Sequence, residues 1–248
     1  MQFPNHYGVK NLEPLPYEAV GFAQHAETGI IKTMTDAIKN PNNIFFEIGF
    51  SSGMMNMSRD LFTKGWSGVG VDMFERPDER LGDLSKVNYI KSKVTPDNLI
   101  DILQEVDIEV DFFSLDIDSY DFAIAEKLLK SGYQPKTVCL EFNPKFGPTA
   151  LASFPYREGK KIFNKKGLYG SSLAKYINLW TNYGYKYFGF DMTMTNVFFY
   201  HPSTVNDLSH LPFHKPTDLV FQNDEIMQTM IKMHRIWQIE DIWTAYNY

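Results

Sequence analysis

The feature that most constrains this chain is a recurring pattern of short, almost wholly apolar runs that each close on a carboxylate or an amide. Ile44, Phe45 and Phe46 lead into Glu47, the run Trp66 to Phe74 carries Asp72, Val110 to Asp118 carries Asp116 and Asp118, and Lys136 to Phe142 carries Glu141 and is followed by Asn143. Runs this short, rich in aromatic and β-branched residues, read as buried strands rather than helices. A shorter strand is expected at Tyr89 to Val94. Helix-length segments lie between them: Met54 to Lys64, Asp97 to Val106 after the capping pair Thr95-Pro96, and Phe122 to Ser131, stopped by Gly132. Strands alternating with helices predict a parallel sheet. After a helix capped by Ser171 or Ser172, the strands Tyr185 to Asp191 and Asn196 to His201 are joined by too short a link for a crossover, so they predict an antiparallel hairpin at the sheet edge.

In open sheets of this kind a ligand sits beyond the carboxyl ends of the strands, near the point where the strand order reverses. Glu47, Asp72, Asp116, Asp118, Glu141 and Asn143 all fall at those ends. The first strand also breaks into the turn Gly49-Phe50-Ser51-Ser52-Gly53, where glycine lets backbone approach a bound molecule closely. Asp72 follows Gly53 by about 20 residues, the spacing at which a carboxylate accepts hydrogen bonds from the ribose hydroxyls of an adenosine.

Other features exclude function classes. The formal net charge of −6 gives no global basic field for nucleic acid or an anionic membrane. The lysines at 160, 161, 165 and 166 read as a solvated face. A single cysteine, Cys139, rules out an intrachain disulfide and a cysteine-rich zinc site, and its apolar surroundings suggest a buried, inert thiol. The first residues have no apolar core of signal-peptide length and no stretch is long enough to cross a bilayer, so a soluble, cytoplasmic protein is expected. The six histidines have no metal-binding spacing; His210 or His214 remains a candidate base from the C-terminal segment. Residues Tyr17 to Lys39 have apolar positions at helical spacing, and a second amphipathic helix is expected from about Asp224 to Trp243, with a stripe suited to packing on the domain or on a second copy.

The strand and turn EIGFSSG resembles the first motif of class I S-adenosylmethionine-dependent methyltransferases, and the chain is most similar to the FkbM-like group. The similarity runs through KGWSGVGVD, VTPDN, VDFFSLDIDSYD, LEFNP, YGSSLAKY and NVFFY, covering roughly Asn43 to His201. It implies a Rossmann-like α/β fold: a seven-stranded, mostly parallel sheet with helices on both faces and an antiparallel C-terminal hairpin. It also implies S-adenosylmethionine as cofactor, with Gly49, Ser51 and Gly53 around its methionine part, Glu47 orienting that loop or the amino group, Asp72 on the ribose and Asp116 beside the sulfonium. Two departures stand out. Ser51 replaces the middle glycine of the motif, and Ser119 and Tyr120 stand where relatives carry glycine and asparagine.

The run Asp116 to Tyr120 is further similar to the DxDxY run of metal-dependent sugar O-methyltransferases, which implies Mg²⁺ held by Asp116 with Glu141 or Asn143, and Asp118 as base. The resulting expectation is O-methylation of a small, polar, glycoside-like molecule. The expected organisation is an N-terminal extension and helix over 1–42, a cofactor-binding domain over 43–202 with a substrate loop or lid at 145–170, and a helical extension over 203–248. Two other classes compete. A nicotinamide-dependent oxidoreductase is disfavoured by the missing G-x-G-x-x-G and by the terminal hairpin; a non-catalytic cofactor-binding scaffold that associates through its last helix is disfavoured by the intact row of carboxylates.

Overall fold

The computed structural model describes residues 12–23, 26–50, 56–75, 84–106, 109–156 and 169–219. Ser51, Gly53, the start of the helix expected at Met54, the lysine run at 160–166 and the helix expected over 224–243 lie outside the described residues.

The strands are β1 (Ile44–Ile48), β2 (Ser67–Asp72), β3 (Val87–Lys91), β4 (Phe112–Leu115), β5 (Thr137–Glu141), β6 (Lys186–Phe190) and β7 (Asn196–Tyr200), and they form one sheet in the order β3-β2-β1-β4-β5-β7-β6. The pairs among β1 to β5 are parallel, while β7 runs antiparallel to both β5 and β6. This is the expected architecture, and it places the reversal of strand order between β1 and β4. The helices are α1 (Glu27–Asp36), α2 (Arg59–Thr63), α3 (Leu99–Val106), α4 (Asp121–Lys130) and α5 (Leu173–Asn182).

Alternation along the strands fills two cores. Phe46, Phe113, Leu115, Val138 and Leu140 face one way and pack with residues of α3, α4 and α5; Phe45, Phe112, Cys139, Phe198 and Tyr200 face the other and pack with Ile30, Ile31 and Met34 of α1. Because both faces are covered, the central strands are apolar throughout, which is why they read as unbroken runs in sequence. Cys139 is fully buried, and burial drives its thiol well above the ordinary range.

Helix ends follow local chemistry. Ser172 accepts from the Lys175 amide at 3.2 Å and starts α5, and Thr95 and Asn98 cap one another before α3. The helix expected to begin at Tyr17 begins only at Glu27. Residues 12–23 serve instead as a strap. The Tyr17 ring stacks on Phe188 and its hydroxyl donates to the Pro212 carbonyl, while Glu18 accepts from the Met192 and Leu15 amides and faces His214. Phe22, counted into the helical stripe, is instead largely exposed with Arg59 stacked over its ring. Tertiary contacts available to Tyr17 and Glu18 outweigh a weak local preference. His214, pressed against Phe190 and Glu18, is part of this strap junction.

Among the described residues, no helix is long and apolar enough to cross a membrane.

Candidate active site

The sheet's reversal point is built around Gly49. Its amide donates to the Val71 carbonyl of β2 at 2.9 Å, and the Asp116 amide, just past β4, donates to Ile48 at 3.0 Å. The turn after β1 is therefore sewn to the ends of both neighbouring strands. At Gly49 φ is +90°, and an added Cβ would lie 1.7 Å from the Asp116 carbonyl oxygen, so no other residue fits. Phe50, next in chain, is fully buried and packs onto β2 where Gly70 has no side chain.

Glu47 is buried at the end of β1 and reaches to the start of α2. Its carboxylate accepts from the Met57 amide at 2.9 Å, the Ser58 amide at 3.1 Å and the Ser58 hydroxyl. The sequence left open whether Glu47 orients the loop or the amino group of a ligand; here its oxygens are occupied by the loop. Burial raises its pKa and these hydrogen bonds partly offset that. Asp72, mostly buried at the end of β2, accepts from the Phe74 amide at 3.1 Å and shares the rim with the turn.

On the other side of the reversal point three carboxylates gather. β4 and β5 are parallel with Leu115 opposite Leu140, so the next positions, Asp116 and Glu141, stand side by side at the strand ends. Asp121 joins them: one oxygen atom from each of Asp116, Asp121 and Glu141 lies within 4.8 Å of the others. Asp121 accepts from the Ile117 and Ser119 amides at 2.8 and 2.9 Å and so folds the 117–120 loop around the group. Burial and the neighbouring carboxylates push Asp116 up to about 8, and burial pushes Asp121 up to about 6. Glu141 is driven well above the carboxylate range by burial and the Asp116 charge. Such a group holds a proton or a cation near neutrality, because three adjacent carboxylates, two of them buried, cannot all stay charged.

Two tyrosines complete it. Tyr169 donates to Glu141 Oε1 at 3.0 Å. Tyr176, fully buried on α5, is pushed far up by burial and then by Asp121, Glu141 and Asp116, and its hydroxyl has no hydrogen-bond partner among the described residues. Neither tyrosine carried a sequence signal beyond its place in YGSSLAKY.

Two expected participants sit differently. Asp118, at φ +54° in the left-handed region, is exposed and stands outside the three-carboxylate group, although its charge acts on Asp116. Asn143 turns to the following loop: its Oδ1 accepts from the Lys145 amide at 3.1 Å and its Nδ2 donates to the Tyr169 carbonyl at 3.1 Å. It starts the short 3₁₀ turn Pro144–Phe146, a capping role that asparagine fills well.

The class defined by fold and site is thus an open, doubly wound α/β sheet with a glycine at the β1 turn and an acid cluster at its reversal point. No protein-family model matches the chain, and no curated protein does. Among solved structures it is similar to a Streptococcus thermophilus protein named as a hemolysin (15% identity, 79% of this chain and 69% of the other, TM-score 0.40). It is similar to MycE methyltransferase of the mycinamycin biosynthetic pathway, solved with Mg, SAH and mycinamycin VI (15%, 78% of this chain and 53% of MycE, TM-score 0.44). It is also similar to the SAH-bound methyltransferase PaMTH1 of Podospora anserina (13%, 71% and 78%, TM-score 0.44). The chain thus spans about half of MycE. Likenesses at this level assign no ligand or activity to this chain.

Proposed function

We propose that this chain is an S-adenosylmethionine-dependent methyltransferase that methylates a hydroxyl of a small, polar, glycoside-like molecule. The observation that carries this reading is the seam at Gly49, an obligate glycine turn fastened to β2 and β4 with Asp72 beside it, on a sheet whose last strand pair is antiparallel. A dinucleotide-binding sheet would bring a G-x-G-x-x-G turn and no inserted antiparallel strand.

Bound there, S-adenosylmethionine supplies an electrophilic methyl group on a sulfonium. Gly49, with Ser51 and Gly53 in the same turn, would let the backbone approach the methionine part, Asp72 would accept from the ribose hydroxyls, and Asp116 would be the carboxylate nearest the sulfonium end. The chain's main tasks are placement and exclusion of water, since methyl transfer needs little beyond in-line approach. The acceptor hydroxyl must also lose its proton, and Asp118, the exposed carboxylate of this rim, takes it and passes it on to solvent.

Removing Asp72 tests the ribose assignment. Asp72→Ala is expected to weaken S-adenosylhomocysteine binding by ~1–3 kcal/mol, roughly 5- to 150-fold, in isothermal titration calorimetry. An unchanged affinity contradicts it.

Mg²⁺ suits the carboxylate group, which offers clustered oxygen donors from Asp116, Asp121 and Glu141 and an unpaired buried phenol, Tyr176, at its side. The ion would neutralise the cluster and polarise an acceptor oxygen. The pH dependence of stability reports on the same group. Asp116 titrates near 8 when folded and near 4 when unfolded, so between these values the folded chain holds a proton that the unfolded chain has released. Stability is therefore expected to fall as pH rises through that window in the absence of divalent ions. Thermal melts should show the loss, millimolar Mg²⁺ should reverse most of it at pH 8, and Asp116→Asn should flatten both effects; a flat wild-type profile with no response to Mg²⁺ contradicts the assignment.

A further inference from the structure

Glu18 and His214 face each other inside the strap junction across a gap too long for a hydrogen bond. Glu18 Oε2 and His214 Nε2 are 3.5 Å apart, with side chains 0% and 9% exposed. An N–H donor bonds an oxygen at about 2.7–3.2 Å, and His214 Nε2 has no hydrogen-bond partner among the described residues. The carboxylate is held without it, because Oε1 accepts from the Met192 amide and Oε2 from the Leu15 amide, both at 2.6 Å. The histidine is also held independently: its ring stacks on Phe190, and its carbonyl accepts from the Tyr187 hydroxyl at 2.7 Å. Two groups fixed from opposite sides, within ion-pair reach but short of bonding, make a contact whose strength depends on charge. An imidazolium gains a charge-assisted bond to a buried carboxylate, while a neutral ring gains little.

The other titratable groups of the junction leave Glu18 to His214. Asp191 is met by the Thr193 and Asn196 amides of its own turn, and burial pushes it up to about 6. Burial drives the phenols of Tyr17 and Tyr187 upward, so both stay neutral. Asp218 accepts from the Lys215 amide at 2.6 Å in their exposed 3₁₀ turn. The position of the pair gives it leverage. Met192 lies in the turn between β6 and β7, and the strap grips it twice, through Glu18 and through the Leu12 amide, which donates to its carbonyl at 2.9 Å. In the same turn Thr195 accepts from the Phe142 amide, and Asn196 stands opposite Glu141. The strap's other end reaches α2, where Asp60 accepts from the Phe22 amide at 2.9 Å. Residues 12–23 therefore tie the hairpin turn to the helix that follows the β1 turn, two elements of the rim that carries the carboxylates.

We propose that Glu18 and His214 form a proton-operated clasp for this strap. A proton on His214 closes the pair and fastens residues 12–23 to the hairpin turn; without the proton the strap keeps only its other contacts and opens more often. The clasp does not depend on which ligand the rim binds.

Hydrogen exchange of the full chain, read by mass spectrometry at pH 5.5 and pH 8 and corrected for intrinsic exchange rates, tests it. Peptides covering 12–23 should be protected roughly 5- to 30-fold more at the lower pH. Peptides from β1 and β4 report global opening, which Asp116 also moves with pH, so the variants carry the decision. In His214→Gln the pH difference in the strap should shrink to within about twofold, and Glu18→Gln should do the same if the first variant does not fold. Strap protection that is equal at the two pH values in the wild-type chain overturns the proposal. So does a pH difference that survives in a folded variant, since another group would then operate the strap.

Discussion

Gly49→Ala is expected to cost this protein more than about 4 kcal/mol of stability, the range reached only when a specific structural feature is broken. Two effects add. The first is conformational: φ is +90°, a region where a side chain costs roughly 1–2 kcal/mol. The second is overlap, because the new Cβ would stand 1.7 Å from the Asp116 carbonyl oxygen and 2.8 Å from its carbon. Those atoms are backbone at the end of β4, so no rotamer change relieves the clash and the β1 turn must separate from β4. Gly132 isolates the first effect. Its φ is +84°, yet a Cβ there meets nothing within 4 Å, so Gly132→Ala should cost only the conformational share. Urea unfolding of the two variants measures the difference, and similar losses would show that the seam at Gly49 is not as tight as described. Since domains of this size are stable by about 5–15 kcal/mol, the Gly49 variant should be at best marginally folded.

The second large effect lies at the opposite end of the sheet. Lys136 and Asp111 form a buried ion pair at 2.9 Å, with their side chains 4% and 0% exposed. Asp111 also accepts from the Ile44 amide that opens β1, and Lys136 donates to the Asn40 carbonyl. Asp111→Ala strands a buried ammonium, left with the Asn40 carbonyl and the exposed Glu109 at 3.6 Å, and is expected to cost about 3–5 kcal/mol. The double change Asp111→Leu, Lys136→Met removes both charges and should recover much of that loss. By contrast Asp36→Ala, which breaks the exposed Lys32–Asp36 pair, should change stability by less than ~1 kcal/mol. Denaturant midpoints compare the three. Because the pair sits at the amino ends of the strands, cofactor affinity in any folded variant should be unchanged.

Much of this architecture was legible in the chain because the central strands are buried on both faces. Phe45 and Phe46, or Phe112 and Phe113, face opposite cores, so burial writes a continuous apolar run, and the carboxylates that end those runs stand out. The short link after Asp191 announced the hairpin, and the turn itself is knotted by Asp191, which accepts from the Thr193 and Asn196 amides at 2.7 and 2.6 Å. What sequence could not show is which polar side chains remain at the open rim and which serve the backbone. Glu47 and Asn143 look alike as residues at strand ends, yet both are occupied by neighbouring amides, whereas Asp121, at the start of α4, stands among the carboxylates. The strap misread as helix failed for a related reason: Phe22 falls at helical spacing by coincidence, while Tyr17 and Glu18 find partners near residues 188, 192 and 214.

The central claim is that the turn at Gly49 and the carboxylate of Asp72 hold an S-adenosyl cofactor. Calorimetric titration of the folded full chain with S-adenosylmethionine, S-adenosylhomocysteine and NAD tests it most directly. Saturable binding of the first two with one site per chain, and none of NAD, is the predicted result. Folded protein that binds neither S-adenosyl compound, or that binds NAD in their place, would contradict it.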